Sequence, residues 1–215
     1  MSPASQSLSR SEQKQITRQK LVNATIDLIA KEGLSGVTLA KVAEVTGLSR
    51  GICNFHFNTK EQLMLEALQT LYHEHEQTWR NAVSNASESP ADRLITLIKA
   101  LLNPPIADHK KLSVWMAFWG VAPHRKTYLE ICANIDREYE AEVEKLLREI
   151  SGGVETINGM SLKAISVTLT SMIDGFWVNY LISPDCLTAK DAVSACLAFL
   201  ASFFPTFRTA NLHER

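Results

Sequence analysis

The stretch from Thr38 to Lys60, TLAKVAEVTGLSRGICNFHFNTK, admits few arrangements. Ala43 and Gly47 mark a short helix that stops at a glycine, and a second short helix opens at Ser49 after only Leu48. Glycine enters the left-handed conformation without a Cβ penalty, so Gly47 reads as the stop of the first helix. The Ser49 hydroxyl can cap the second. Leu39, Val42 and Ala43 recur at three- and four-residue spacing, and Cys53 and Phe57 lie one turn apart with Leu48 just upstream, so these faces look inward. Arg50, Gly51, Ile52, Asn54 and Phe55 remain outward on the second helix, with His56 at its edge. Such a face suits a DNA major groove, where Arg and Asn pair bidentately with guanine and adenine edges. Gly51 would let a backbone come close. The A-x-x-x-G-x-S spacing alone fits a plain helical hairpin inside a bundle equally well.

The flanks discriminate. Thr38 can cap the first short helix, and Thr59 with Gln62 forms a capping box for a longer helix that follows at once. Both helix starts can point backbone N–H groups at phosphates, with Lys60 beside one of them. The candidate DNA-contacting residues are therefore Thr38, Ser49, Arg50, Gly51, Ile52, Asn54, Phe55, His56 and Lys60. The segment from Gln15 to Leu63 resembles the DNA-binding domain of TetR-family repressors. Their pattern of Thr, Ala, Gly, Ser, Gly, aromatic-Phe and Lys-Glu-x-Leu is met by Thr38, Ala43, Gly47, Ser49, Gly51, His56-Phe57 and Lys60-Glu61-Gln62-Leu63. Asn54 departs from it, since the family commonly has Tyr there.

Charge is distributed in the same sense. Residues 1–62 carry a net charge of +3 and residues 63–215 a net of -4. A basic head favours phosphate neutralisation, which supplies most non-specific affinity for DNA. The four cysteines show no C-x-x-C pairing and sit at core-like helical spacings, so they read as structural thiols, with no metal or cofactor expected. The first residues are polar, and no uninterrupted apolar run reaches the roughly eighteen residues that span a membrane. A soluble cytoplasmic protein is expected.

The expected architecture is all-α: a disordered arm over 1–11, a three-helix helix-turn-helix domain over 12–60, and a helical-bundle ligand-binding and dimerisation domain over 61–215. A first helix from Ser11 to Glu32, ended by Gly33, would brace the hairpin with Ile16, Leu21, Ala24, Leu28 and Ile29 on one face. Its Lys14 and Arg18 could touch the DNA backbone. A long helix from Thr59 to about Ala86 would connect head and body. Within it, His73-Glu74-His75-Glu76 reads as a solvated face, because histidines two apart point to different sides of a helix and cannot share a metal ion. Further helices are expected over Ala91–Leu102, Asp108–Val121, Arg125–Ile150, Ser161–Ile182 and Thr188–Phe204, with loops at Gly152-Gly153 and Asn158-Gly159 and no strand alternation. The last two helices are apolar around more of their circumference than one core requires, so a homodimer on a palindromic operator is expected.

Trp115, Phe118 and Trp119 crowd one helical face, Asp174 and Trp177 lie three apart on another, and Tyr128 and Tyr180 are near in sequence. Rings plus one carboxylate are the parts of a cage for a quaternary ammonium. By spacing alone, such a stripe is more often ordinary core, and Asp174 could equally cap or pair within a dimer. The run Trp115 to Trp119, Pro123-His124, Tyr128-Leu129 and Ile173 to Trp177 resembles the body of BetI-type regulators, choline-responsive repressors of glycine-betaine synthesis; Gly51-Ile52 with Asn54 resembles that branch in the head. The resemblance implies choline or a related small-molecule effector. A repressor sensing another lipophilic cation or a fatty-acyl ligand is the alternative. An all-helical enzyme finds no support in a G-x-S-x-G, a Cys–His pair, a glycine-rich phosphate loop or an H-E-x-x-H motif. A dimerisation module with a vestigial head would leave the basic outward face at Arg50 and Lys60 without purpose.

Overall fold

A computed structural model describes residues 9–210 of the chain. The disordered arm expected over 1–11 falls largely outside the described residues. Ser9 is already the cap of α1 (Arg10–Gly36), accepting from Glu12 N while the Glu12 carboxylate takes Ser9 N–H. Two compact units divide between Thr70 and Leu71.

In the first unit α1 is followed by α2 (Leu39–Thr46), α3 (Arg50–His56) and the start of α4 (Lys60–Ser84). Gly33, at φ +71°, breaks α1 where the helix was expected to end, and one further turn leads to Val37. The core begins at Leu21 and takes in Val22, Ile29, Val42, Cys53 and Phe57. Ile16, expected to join it, is 49% exposed because it lies more than a turn upstream of where that core starts. Thr25 and Thr46 are buried without loss because each hydroxyl donates to the carbonyl one turn back, Leu21 O at 2.8 Å and Val42 O at 2.7 Å.

Arg18 is an internal staple rather than a DNA contact. Its Nε donates to Glu66 Oε1 at 2.6 Å, its Nη1 to the His56 carbonyl at 2.8 Å, and its guanidinium lies 4.3 Å over the Phe57 ring. One planar group thus ties α1, α3 and α4 together, a use that suits Arg far better than Lys.

The second unit contains the rest of α4 with α5 (Pro90–Leu102), α6 (His109–Val121), a 3₁₀ turn (Ala122–His124), α7 (Lys126–Ile150), α8 (Leu162–Ile182), α9 (Ala189–Ala201) and α10 (Phe207–Ala210). Helix starts are capped by Ser89, Asp108, Ser161 and Thr188. Leu94, Leu97, Ile98 and Leu101 turn one face of α5 into the core against α7, α8 and α9, leaving Asp92 and Lys99 exposed. On α7 the stripe Tyr139, Val143, Leu146 and Leu147 is buried, while Glu130, Arg137, Lys145, Arg148 and Glu149 are exposed, as the alternating charges implied.

Three expectations need correction. Asn158 and Gly159, both at positive φ, close a small hairpin of β1 (Thr156–Ile157) and β2 (Met160–Ser161), with Thr156 opposite Ser161; two-residue strands are too short for alternation to reveal them. The last long helix ends at Ala201 instead of Phe204, because Pro205 disfavours helical backbone at the residue before it. Cys186 is exposed in the α8–α9 connection, whereas Cys53, Cys132 and Cys196 are buried. Burial raises the Cys53 thiol and pushes Cys196 up to about 12, so neither is a thiolate near neutrality.

By length and composition alone α8 could cross a membrane, and only 33% of its most apolar window is buried within the chain. Among the described residues no cluster of His, Cys, Asp and Glu is placed to hold a metal.

Candidate functional site

The outward face of the hairpin is built from local geometry. Gly47 turns at φ +67°, and the N–H groups of Gly47 and Leu48 close the end of α2 on the Glu44 and Ala43 carbonyls. Thr38 Oγ1 accepts from Lys41 N at 3.1 Å and Ser49 Oγ from Ile52 N at 3.2 Å, so both short helices carry the expected caps, each worth about 1 kcal/mol. Arg50, Gly51, Asn54 and Phe55 are exposed, Phe55 at 70%, and Ile52 is 39% exposed. Lys14 Nζ from α1 lies 5.1 Å over the Phe55 ring. A Cβ on Gly51 would meet only Ser49 Oγ, at 3.7 Å, so nothing inside the chain calls for glycine there.

Two candidates sit differently from their expected places. His56 is buried, 8% exposed, because positions 53, 56 and 57 fall on one stripe of a 3.6-residue helix. Burial, then the charges of Arg18 and Lys14, lower its pKa, so the ring is a neutral packing element. Lys60 donates to the Leu34 carbonyl at 2.7 Å, closing the end of α1, with its two remaining N–H groups left for other acceptors. The capping box at Thr59 is shifted by one residue: Gln62 N–H donates to Thr59 Oγ1, but the Gln62 amide oxygen accepts from Asn58 N.

The second candidate site forms where four helices of the body meet. Trp115 of α6, Tyr139 of α7 and Trp177 of α8 surround the imidazole of His75 from α4, each steeply inclined to it, with centroid distances of 6.3, 6.0 and 5.8 Å. Trp119 stacks on Trp177 at 6.2 Å and 20°. The Tyr139 hydroxyl donates to Asp174 Oδ1 at 3.2 Å, and Trp177 Nε1 donates to the Leu101 carbonyl at 2.8 Å. Of the residues singled out from sequence, Trp115, Trp119, Asp174 and Trp177 are thus brought together. Phe118 and Tyr128 instead form a buried edge-to-face pair at 5.1 Å that packs α6 on α7. Tyr180 turns toward Asp191 and Cys196 of α9, and burial pushes its hydroxyl up to about 12.

His75 and Tyr139 were missed from sequence, and His75 overturns the solvated-face reading of its segment. It lies four residues from both Leu71 and Trp79 and shares their buried stripe, with 5% exposure. Among the described residues neither ring nitrogen finds a hydrogen-bond partner, and burial lowers its pKa to about 4. A void of about 10 Å³ adjoins it, bordered by Thr78, Pro105, Ile106 and Trp115 and by the ion pair of Lys111 with Glu74. That is room for roughly one water. Tyr139 could have been read from its i,i+4 spacing to Val143.

A capped helix-turn-helix with an outward Arg and Asn face, on a separate and mainly helical body, defines a DNA-binding regulator. Residues 21–67 match the bacterial regulatory proteins of the tetR family, and residues 90–205 match the C-terminal region of BetI-type transcriptional repressors. The chain belongs to the TetR family of transcriptional regulators, with a body of the BetI type. Its family consists of regulators, not enzymes. A relative from Burkholderia thailandensis, the HTH-type transcriptional regulator BetI, is 30% identical over 178 residues, covering 77% of this chain and 82% of its own. Among solved structures, a transcriptional regulator from Pseudomonas aeruginosa PAO1 superposes with a TM-score of 0.78 at 23% identity, covering 97% of this chain and 96% of its own. One from Saccharomonospora viridis, solved in complex with choline, gives 0.75 at 17% identity, covering 86% and 96%.

Proposed function

We propose that the chain is a homodimeric repressor that acts in the cytoplasm on a palindromic operator and responds to choline or a closely related quaternary ammonium. The observation that carries the effector assignment is the convergence of Trp115, Tyr139 and Trp177 with the Asp174 carboxylate. Ring faces and one acid are what a quaternary ammonium group can use, since that group has no N–H to donate and no lone pair to accept a conventional hydrogen bond. The name of the Burkholderia relative and the choline complex of the Saccharomonospora regulator favour the same chemistry.

On the DNA side, Arg50 and Asn54 would read base edges while Gly51 allows the helix to approach closely. Ile52 and Phe55 form an apolar patch one turn long, suited to thymine methyl groups. Lys14 and the two free N–H groups of Lys60 would meet phosphates, and the head keeps its duties apart from those of Arg18 and His56, which hold it together.

Dimerisation is supported by apolar side chains left exposed or half-buried along α8 and α9, Val167, Met172, Phe176 and Phe199, and by Phe203 in the turn after α9. Replacing Val167 and Phe199 together by Glu should yield a monomer in sedimentation velocity; an unchanged dimer would move the interface elsewhere.

The void beside His75 is far smaller than choline, so binding must select an arrangement in which these side chains move apart. α4 carries His75 and continues into the head, so an effector that favours one setting of α4 lowers operator affinity by the same differential free energy. The test is thermal stabilisation across choline, glycine betaine, larger quaternary ammoniums and fatty acids. A choline-selective rise in Tm that Asp174→Asn abolishes supports the reading. A rise with acyl ligands alone discards the ammonium and keeps the repressor.

A further inference from the structure

We propose that His75 is the hydrogen-bonding anchor of the effector site, so that the ligand it selects carries a hydroxyl next to its ammonium group; the inference rests on the cation reading given above. Among the described residues of the ring cluster, His75 is the side chain that offers both a hydrogen-bond donor and an acceptor site without a protein partner for either nitrogen. The other polar groups are engaged: Trp177 Nε1 with the Leu101 carbonyl, the Tyr139 hydroxyl with Asp174, and Lys111 with Glu74. A buried imidazole left in that state costs free energy, and a helix of the core would be better served there by Leu. An oxygen delivered by a ligand removes the penalty only in the bound state, which makes it a source of selectivity.

The void beside His75 has the size of a single oxygen-centred group. A hydroxyl fits it with either tautomer, since it donates to an unprotonated nitrogen or accepts from an N–H. A carboxylate fits worse, because Glu74 borders the void with its charge matched by Lys111, and the imidazole, being uncharged near neutrality, brings no further positive charge. The ammonium end would then lie toward the faces of Trp115, Trp177 and Tyr139, and the hydroxyl end toward α4. This arrangement also joins recognition to response, because the group that tests the hydroxyl is mounted on the helix that continues into the head.

The experiment is isothermal titration of the full-length protein with choline, ethyltrimethylammonium and glycine betaine. The second ligand keeps the cation and lacks the hydroxyl. The wild-type chain should prefer choline to ethyltrimethylammonium by about tenfold or more, as sites built around a ligand hydroxyl do. In His75→Leu the preference should fall to near unity through loss of choline affinity, with ethyltrimethylammonium still binding. His75→Gln, which retains a donor and an acceptor, should restore part of the preference and decides the matter if the Leu variant does not fold. A wild-type ratio near unity, or the same ratio in the wild type and the Leu variant, overturns the anchor and leaves the ammonium reading standing. Tighter binding of glycine betaine than of choline overturns the hydroxyl assignment. Failure of all three ammoniums to bind defeats the effector reading itself and the anchor with it.

Discussion

His56 and His75 are both buried, both shifted toward the neutral form by burial, and both carried on helices whose sequence suggests exposure, yet they serve the two halves of the molecule differently. His56 lies under the DNA-reading face, where its carbonyl takes a bond from Arg18 and the neighbouring Arg50, Asn54 and Phe55 remain in solvent. His75 lies at the centre of its site, with rings on three sides and no partner for its nitrogens. The head thus keeps recognition on its outside and packing beneath. In the effector site proposed for the body, recognition would lie inside the core, and the site would open only by disturbing that core. On that proposal the difference follows from the ligands: a duplex is read from without, whereas a small cation binds usefully only where water has been removed.

The largest expected effect concerns acid. The imidazole of His75 titrates near 4 in the folded chain and near 6.5 when unfolded, so both states are neutral above about pH 7 and the term vanishes there. As pH falls from about 6.5 toward 4 the unfolded chain takes up a proton that the folded chain refuses. Stability should drop by on the order of 3 kcal/mol across that window and then level off. His75→Leu should remove most of the slope and raise the Tm at neutral pH; His56 adds a smaller term of the same sign that survives the substitution. An unchanged pH profile in His75→Leu would place the buried charge penalty elsewhere.

The next test crosses the two sites. Arg50→Ala should weaken operator binding by about 1–3 kcal/mol, measured by fluorescence anisotropy, and leave the calorimetric affinity for choline unchanged. Asp174→Asn should do the reverse, with a loss of roughly tenfold or more in choline affinity and little change in operator affinity in the absence of ligand. Equal losses in both assays for either variant would erase the division of labour between head and body.

The smallest effect probes the apolar part of the reading face. Replacing single thymines of the operator by deoxyuridine deletes only a methyl group and should cost about 0.8 kcal/mol where that methyl meets Ile52 or Phe55. In Phe55→Ala the penalty at that base should vanish. Additive losses from base and protein would show that the ring touches DNA without reading it.

Local chemistry made the head legible. Gly47, Ser49, Thr38 and the i, i+4 pairs act within one or two turns, so the order of residues is enough to infer the caps, the turn and the outward Arg50, Asn54 and Phe55. Even the burial of His56 was present as a stripe with Cys53 and Phe57. The part that was not legible depends on pairs far apart in the chain: Arg18 leaving the surface for Glu66, 48 residues away, and Lys60 closing on Leu34, 26 residues away. Charge alone cannot say whether a cation faces a phosphate or a carboxylate.

In the body, sequence determined that helices of these lengths would form, that α5 and α8 would be apolar, and that tryptophans and an acid would be available. Tertiary structure decided which of them meet. It set Trp177 against Leu101 and Asp174 against Tyr139, sent Phe118, Tyr128 and Tyr180 to other packing duties, and drew His75 out of a charged run into the ring cluster. The reason is geometric: spacing along a helix specifies which side chains share a face, but which neighbour that face meets is settled by the packing of whole helices, and His75 is polar enough to be read either way until that packing exists.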